Sequence, residues 1–233
     1  MSIIGIVGGT GKLGAALAGR WAKAGHDVLI GSRDAANAET VAAELSERFG
    51  NVLRGMTNLD AAAAAEIVVI TVPFAAQADR ITEIREQVAG KIVVDTTVPL
   101  VPPKVMRAQM PPEGSAALRA QALLGPDARL VSAFHSVAAH KLATDADVAC
   151  DVLVFSDDKA ARSVVVGLAN DAGLRGLHAG ALANSVAAEA MTSVLIFLNK
   201  TYKVDGAGIV ITGQLIEPEG QRAWQSNRTY DRS

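Results

Sequence analysis

The sequence predicts an α/β protein of Rossmann type: a doubly wound, mostly parallel sheet, with a small C-terminal helical and αβ part closing the cofactor cleft. Three observations carry this. The apolar run Ile3–Val7 passes into a glycine-rich turn, Gly8-Gly9-Thr10-Gly11-Lys12-Leu13-Gly14, and then into helical spacing. Strand-length and helix-length segments alternate from residue 3 to about residue 134. Segments such as Ile67-Val68-Val69-Ile70 and Ile92-Val93-Val94 are continuously apolar and β-branched, as strands buried on both faces of a parallel sheet are.

Gly9-x-Gly11-x-x-Gly14 fits the dinucleotide fingerprint, and each glycine has a mechanical task. Gly9 permits the tight turn, Gly11 lets a pyrophosphate approach the backbone, and Gly14 lets helix and strand pack closely. The helix that starts near Lys12 offers its open N–H groups and positive dipole end to phosphate. It runs over about 12–25, with Gly25 just past its end. Asp27–Gly31 is the second strand, and its end decides the cofactor. An NAD site places an acid there for the ribose 2′-hydroxyl. This chain has Ser32-Arg33, a hydroxyl beside a guanidinium, which suits the 2′-phosphate of NADP. Asp34 reads as the N-cap of a helix over 34–48.

A short strand near 51–55 and an alanine-rich helix over 58–65 follow, then the buried strand Glu66–Pro73. Its end, Thr71-Val72-Pro73, lies on the edge where open α/β sheets bind ligands. A helix over 75–89 and a strand over 91–96 repeat the unit, and Pro99, Pro102 and Pro103 mark a stiff loop. A helix over 115–124 leads to the strand Ala128–Phe134, ending in His135-Ser136-Val137. Beyond it come a strand over 150–156, a helix over 158–172 and an edge strand over 174–178. Residues 181–203 read as a long helix buried on several sides, which either plugs the site or joins a dimer interface. Gly206–Ile211 is loop or strand. The reading divides the chain into an NADP-binding part at 1–137, a smaller part at 138–216, and a polar, surface-lying or disordered tail at 217–233.

A formal net charge of −2 gives no general attraction to nucleic acid or anionic membrane. Cys150, the one cysteine, allows no disulfide framework and fits a cytoplasmic location. Ser185–Leu198, the most apolar late stretch, contains Glu189 and reads as too short to span a membrane. No metal site is expected, since no HxH, HExxH or carboxylate cluster is present, and no nucleophile elbow points to a hydrolase. His135 projects from the ligand edge and is the one candidate to orient a cofactor ring or supply a proton. Asn199-Lys200 lacks the surroundings of a β-hydroxyacid dehydrogenase pair and reads as a helix end. So thin an acid/base inventory suits hydride passage between two redox cofactors. A small carbonyl or imine substrate, a flavin acceptor, and an NADPH-sensing module without turnover stay open.

In order along the chain, several segments resemble the NADPH-dependent reductases of the deazaflavin coenzyme F420. They are Ile6-Val7-Gly8-Gly9-Thr10-Gly11-x-Leu13-Gly14, Gly31-Ser32-Arg33, Thr71-Val72-Pro73, Pro99-Leu100-Val101-Pro102, Val131-Ser132-Ala133-Phe134-His135, Asp157-Asp158 and Ala179-Gly180-x-Leu182-x-Asn184-Ser185. The resemblance implies that Thr10, Gly11, Leu13, Ser32 and Arg33 bind the NADP phosphates and that Val72 and Pro73 line the ribose and nicotinamide side. It further implies that His135 and Val137 flank coenzyme F420, and that the protein is a homodimer. Two departures stand out: Asn37 where such reductases often carry lysine, and Ser136–His140 in place of a proline- or asparagine-bearing stretch.

Overall fold

The structure, a computed structural model, describes residues 1–216, so the expected polar tail at 217–233 lies outside the described residues. Six parallel strands form the main sheet: β1 (Ile3–Val7), β2 (Asp27–Ser32), β3 (Arg54–Thr57), β4 (Ile67–Ile70), β5 (Ile92–Asp95) and β6 (Arg129–Ser132). Their order is β3-β2-β1-β4-β5-β6, the doubly wound arrangement in which direction reverses between β1 and β4. The central strand pairs on both sides, with Gly5 opposite Leu29 of β2 and Val68 of β4.

The connecting helices are α1 (Lys12–Lys23), α2 (Ala35–Phe49), α3 (Asn58–Ala64), α4 (Phe74–Ile84) and α5 (Ala116–Leu124). One face of the sheet packs Ile4, Ile6, Val28, Ile30, Val69, Val94 and Val131 against α1 and α2, around the fully buried Trp21. The other packs Val7, Leu29, Val68, Ile70, Val93 and Leu130 against α3, α4 and α5. Alternate residues of each strand thus serve opposite layers, which is why the strands are apolar throughout. Gly25 takes the left-handed conformation (φ 92°) past α1, and the Asp34 side chain accepts from Ala36 N at 3.0 Å, so both predicted helix boundaries stand.

Residues after 138 continue the same core. A short helix, α6 (Ala139–Leu142), precedes β7 (Asp151–Val154), α7 (Lys159–Asp171) and β8 (Arg175–His178). β7 and β8 pair in parallel, and Phe155 exchanges two backbone hydrogen bonds with Ser132 across an antiparallel bridge, joining the small sheet to β6. Trp21 Nε1 donates to Leu168 O of α7 at 2.8 Å. The Arg20 guanidinium donates to the carbonyls of Leu142, Thr144 and Ala146.

Four elements differ from expectation. β3 begins at Arg54, later than predicted, because residues 51–53 are still bound to the end of α2, where Leu53 N donates to Ser46 Oγ. α4 ends at Ile84 in turns rather than running to residue 89. Helix α6, four residues long, leaves no periodicity to read. The late helix, α8 (Ser185–Tyr202), buries only one face, and that face carries Ser185, Glu189 and Ser193 alongside Ala188 and Leu195. Val194, Phe197 and Tyr202 point outward instead. With the turn before it, Leu182–Tyr202 is long and apolar enough by length and composition to cross a membrane, contrary to the short reading. Its Glu189 nevertheless lies against the first turn of α5, with no exposed surface.

Candidate dinucleotide cleft

The C-terminal ends of β1, β2 and β4 open into a cleft of about 630 Å³. Six of the residues expected to bind a cofactor line it: Thr10, Gly11, Ser32, Arg33, Val72 and Pro73. The turn that builds it differs in one detail from the fingerprint reading. Gly8, not Gly9, takes the left-handed conformation (φ 77°), and a Cβ there would lie 2.7 Å from Val72 Cγ1. Gly9 N donates to Ile6 O at 3.1 Å and Gly31 O at 2.8 Å, which seats the turn on β2. A Cβ on Gly14 would fall 2.7 Å from Thr71 Oγ1 and 2.8 Å from Gly9 Cα, so its role in close packing stands.

Two helices aim uncapped N-termini at the cleft. Gly11 precedes α1 and Pro73 precedes α4, and neither supplies a side-chain cap, whereas α2, α3, α5 and α7 begin with capping Asp, Thr or Ser. Open first-turn amides at a helix N-terminus are ready donors to an anion. The Ser32 hydroxyl accepts from Asp34 N at 3.3 Å, which leaves its proton to donate outward. Arg33 is exposed, while Arg80, also at the cleft, is paired with Glu83. The volume, the amides and the guanidinium fit a dinucleotide carrying an extra phosphate.

The remaining expected residues lie elsewhere. Gly9 and Gly14 are inside the turn, and Leu13 and Val137 pack against the α1 face of the core. Lys12 turns to a separate groove formed with α2 and α6. His135 is buried, its Nε2 2.7 Å from Ser132 Oγ, its carbonyl accepting from Thr192 Oγ1 at 3.0 Å, and its ring beside Phe155. Sequence reasoning missed Ala76, Asp79, Arg80 and Asn58 at the cleft, and of these the clearest task belongs to Asn58. Its Oδ1 accepts from Gly8 N at 3.0 Å, fixing the left-handed turn from below. Its only signal was a polar residue at the start of a helix, which thousands of helices share. Asn199, read as a helix end, is one: its Oδ1 accepts from Ala207 N at 2.7 Å.

Burial pushes the His135 imidazole down from 6.5 to about 4, so it is neutral near pH 7. The unfolded chain takes up that proton near 6.5 and the folded chain near 4, so this group's contribution is present above 6.5 and is lost as pH falls toward 4. His135→Gln should therefore lose less thermal stability than the wild type between pH 6.5 and 4.5, read by melting temperature. An equal loss in both would show that other groups govern that window.

Comparisons with known proteins agree with this geometry. Residues 3–99 match the family model described as NADP oxidoreductase, coenzyme F420-dependent. The F420-dependent NADP reductase of Methanothermobacter thermautotrophicus is 41% identical over 218 residues, covering 90% of this chain and 94% of that protein. Its counterpart in Methanocaldococcus jannaschii is 39% identical, covering 90% and 97%. A crystal structure from Arthrobacter sp. FB24, provisionally described as an F420-dependent NADP reductase, superposes with a TM-score of 0.78 at 26% identity, covering 91% of this chain and all of that one. With this fold, this cleft and this likeness over nine-tenths of its length, the chain belongs to the family of F420-dependent NADP reductases.

Proposed function

We propose that the protein is an oxidoreductase that passes a hydride reversibly between NADP(H) and coenzyme F420. The single observation that carries this is the cleft: two uncapped helix N-termini with Ser32 and Arg33 at its far end, in a chain 41% identical to a reductase of that name. When bound, the nicotinamide and the deazaflavin supply a hydride donor and a hydride acceptor. The chain's part is to hold and orient them. The backbone of Thr10, Gly11 and Leu13 lies against the pyrophosphate, with Gly11 giving close approach while its own amide is held by Gly8 O at 3.0 Å. Ser32 and Arg33 hold the 2′-phosphate, and Val72 and Pro73 form an apolar wall for ribose and nicotinamide. Lys12 and the fingerprint glycines Gly9 and Gly14 belong to the supporting turn. His135 and Val137 flank the deazaflavin, where a neutral imidazole fixed by Ser132 serves as an orienting group rather than a proton donor. That neutrality favours direct hydride transfer over reduction of a carbonyl or imine, which needs a proton at hand.

Residues 1–137 then hold the dinucleotide, and 138–216 complete the acceptor side. The outward apolar face of α8, with Phe197 half exposed, suits a second copy of the chain in a homodimer. The reading places the protein in the cytoplasm, with small-molecule redox cofactors as its partners and neither nucleic acid nor membrane among them.

Anaerobic mixing with NADPH and oxidised coenzyme F420 tests the activity. The deazaflavin absorbance should be lost rapidly with NADPH and slowly with NADH. Tight NADPH binding without bleaching would sink the deazaflavin assignment and leave the dinucleotide site standing.

A further inference from the structure

Beneath the α4 wall of the cleft lies a set of buried polar groups that hydride transfer does not use. Asp95, the last residue of β5, is almost wholly buried, as are Gln77 of α4 and Glu189 of α8. Gln77 Nε2 donates both its hydrogens, one to Asp95 Oδ2 at 2.7 Å and one to Ala116 O at 3.1 Å. Thr97 N donates to Asp95 Oδ1 at 3.2 Å. Ala116 N and Ala117 N, the first amides of α5, donate to Glu189 at 2.6 and 3.2 Å. The chain of bonds thus runs from β5 through α4 and α5 to α8.

We infer that Asp95 is a positioning residue for the dinucleotide, setting through Gln77 where the N-terminal turn of α4 lies against the cleft. Gln77 sits one residue after Ala76 and four after Pro73, both of which line the cleft. The inference rests on the reading of that cleft as the NADPH site.

The bonding pattern is that of an ionised Asp95. Both carboxylate oxygens accept, and Gln77 Oε1 is buried without a donor. Ala116 O can only accept, so it fixes which end of the Gln77 amide faces it. A protonated Asp95 would carry an O–H in need of an acceptor. On Oδ1 the unpartnered Thr97 Oγ1 is at hand, whereas on Oδ2, the oxygen facing α4, the orphan Gln77 Oε1 becomes that acceptor only if the amide turns over. Turning over breaks the bond to Ala116 O and so removes a polar tie between α4 and α5, which stay packed through Ile81, Ile84, Ala117 and Ala120. Protonation at either oxygen therefore weakens the charge-assisted bond that ties α4 to β5, and protonation at Oδ2 also turns the amide.

The surroundings make the proton change accessible. Burial raises the Asp95 pKa to about 7, outweighing the Thr97 and Gln77 hydrogen bonds, and the nearby Glu189 raises it further. Glu189 is itself raised by burial against the pull of its two amides. The other groups around Asp95 are Gln77 of α4, the α5 amides, and on β6 Ser132 with the neutral His135 bonded to it; no lysine or arginine is among the groups that shift it.

The test is the NADPH dissociation constant of wild-type protein and Asp95→Asn between pH 5.5 and 8.5, read from nicotinamide fluorescence. The 2′-phosphate titrates alike in both titrations, so the ratio of the two constants isolates Asp95. That ratio should be near 1 at pH 5.5 and rise to about tenfold at pH 8.5, the loss of one charge-assisted bond diluted through the helix. Gln77→Leu, which removes the link without touching the carboxylate, should give the same curve and carries the test if Asp95→Asn does not fold. A purely structural role would lower the melting temperature and leave the ratio flat with pH. A flat ratio overturns the inference alone; absence of NADPH binding in the wild type overturns it together with the reading of the cleft.

Discussion

Arg33→Ala should weaken NADPH binding by roughly 10- to 100-fold while changing NADH affinity less than about threefold, because a hydrogen bond to a charged group contributes about 1.5–3 kcal/mol and 1.4 kcal/mol is a factor of ten. The expectation follows from the charges at the cleft. Arg33 is exposed, Arg80 is engaged by Glu83, and Asn37 offers an amide where lysine is common in the family. On the proposed binding mode, the 2′-phosphate, the one feature that separates the two cofactors, thus falls to Arg33 and the Ser32 hydroxyl. Arg33→Lys should recover only part of the loss, since an ammonium cannot offer the guanidinium's paired donors. Fluorescence titration with each nucleotide decides it. Equal weakening of both would mean that Arg33 holds the shape of the β2 turn rather than the phosphate.

Trp21→Ala should cost about 3–5 kcal/mol of stability, near the upper end for a buried aromatic. The indole has no exposed surface, meets the Phe134 ring edge-on at 5.9 Å between centroids, and donates to Leu168 O at 2.8 Å. Phe134 itself is held at φ 66°, a conformation that costs a non-glycine residue about 1–3 kcal/mol and persists only while its surroundings enforce it. Removing Trp21 therefore opens a cavity and releases the residue just before His135. Trp21→Phe keeps most of the volume but loses the indole bond to Leu168 O, which still accepts from Ala172 N at 3.0 Å, for a loss of about 0.5–1.5 kcal/mol. Urea unfolding followed by circular dichroism gives both values. A loss below about 1 kcal/mol for the alanine variant would mean that the core closes over the gap.

The sheet was legible because its strands are apolar on both faces and its turns carry glycine, Asp34 or proline at the positions backbone geometry demands. The convergence of Gly11, Ser32 and Arg33 on one cleft was legible for the same reason: what they offer a phosphate, backbone approach and charge, is declared by residue type alone. What escaped acts through contacts distant in sequence. Asn58 supports Gly8 across 50 residues and Gln77 reaches Ala116 across 39, and neither spacing marks a residue in the sequence. α8 was legible as an apolar helix but not in its facing, because apolar composition does not say which side is covered within one chain; its buried face is partly polar because it meets the first amides of α5.

The bond from Trp21 to Leu168 also sets a clock. It joins residues 147 apart, so at a synthesis rate of roughly 5–20 residues per second the indole waits about 7 to 30 s on the ribosome for its partner. Among the described residues the lining of the cleft, by contrast, runs no further than Arg80, although its α4 wall is tied to β5 through Gln77 and Asp95. A nascent chain therefore carries the residues that line the cleft while the flank of its first helix is still bare. For that interval α1 rests on the sheet and on α2, and a dinucleotide docked at its N-terminal end would steady it further.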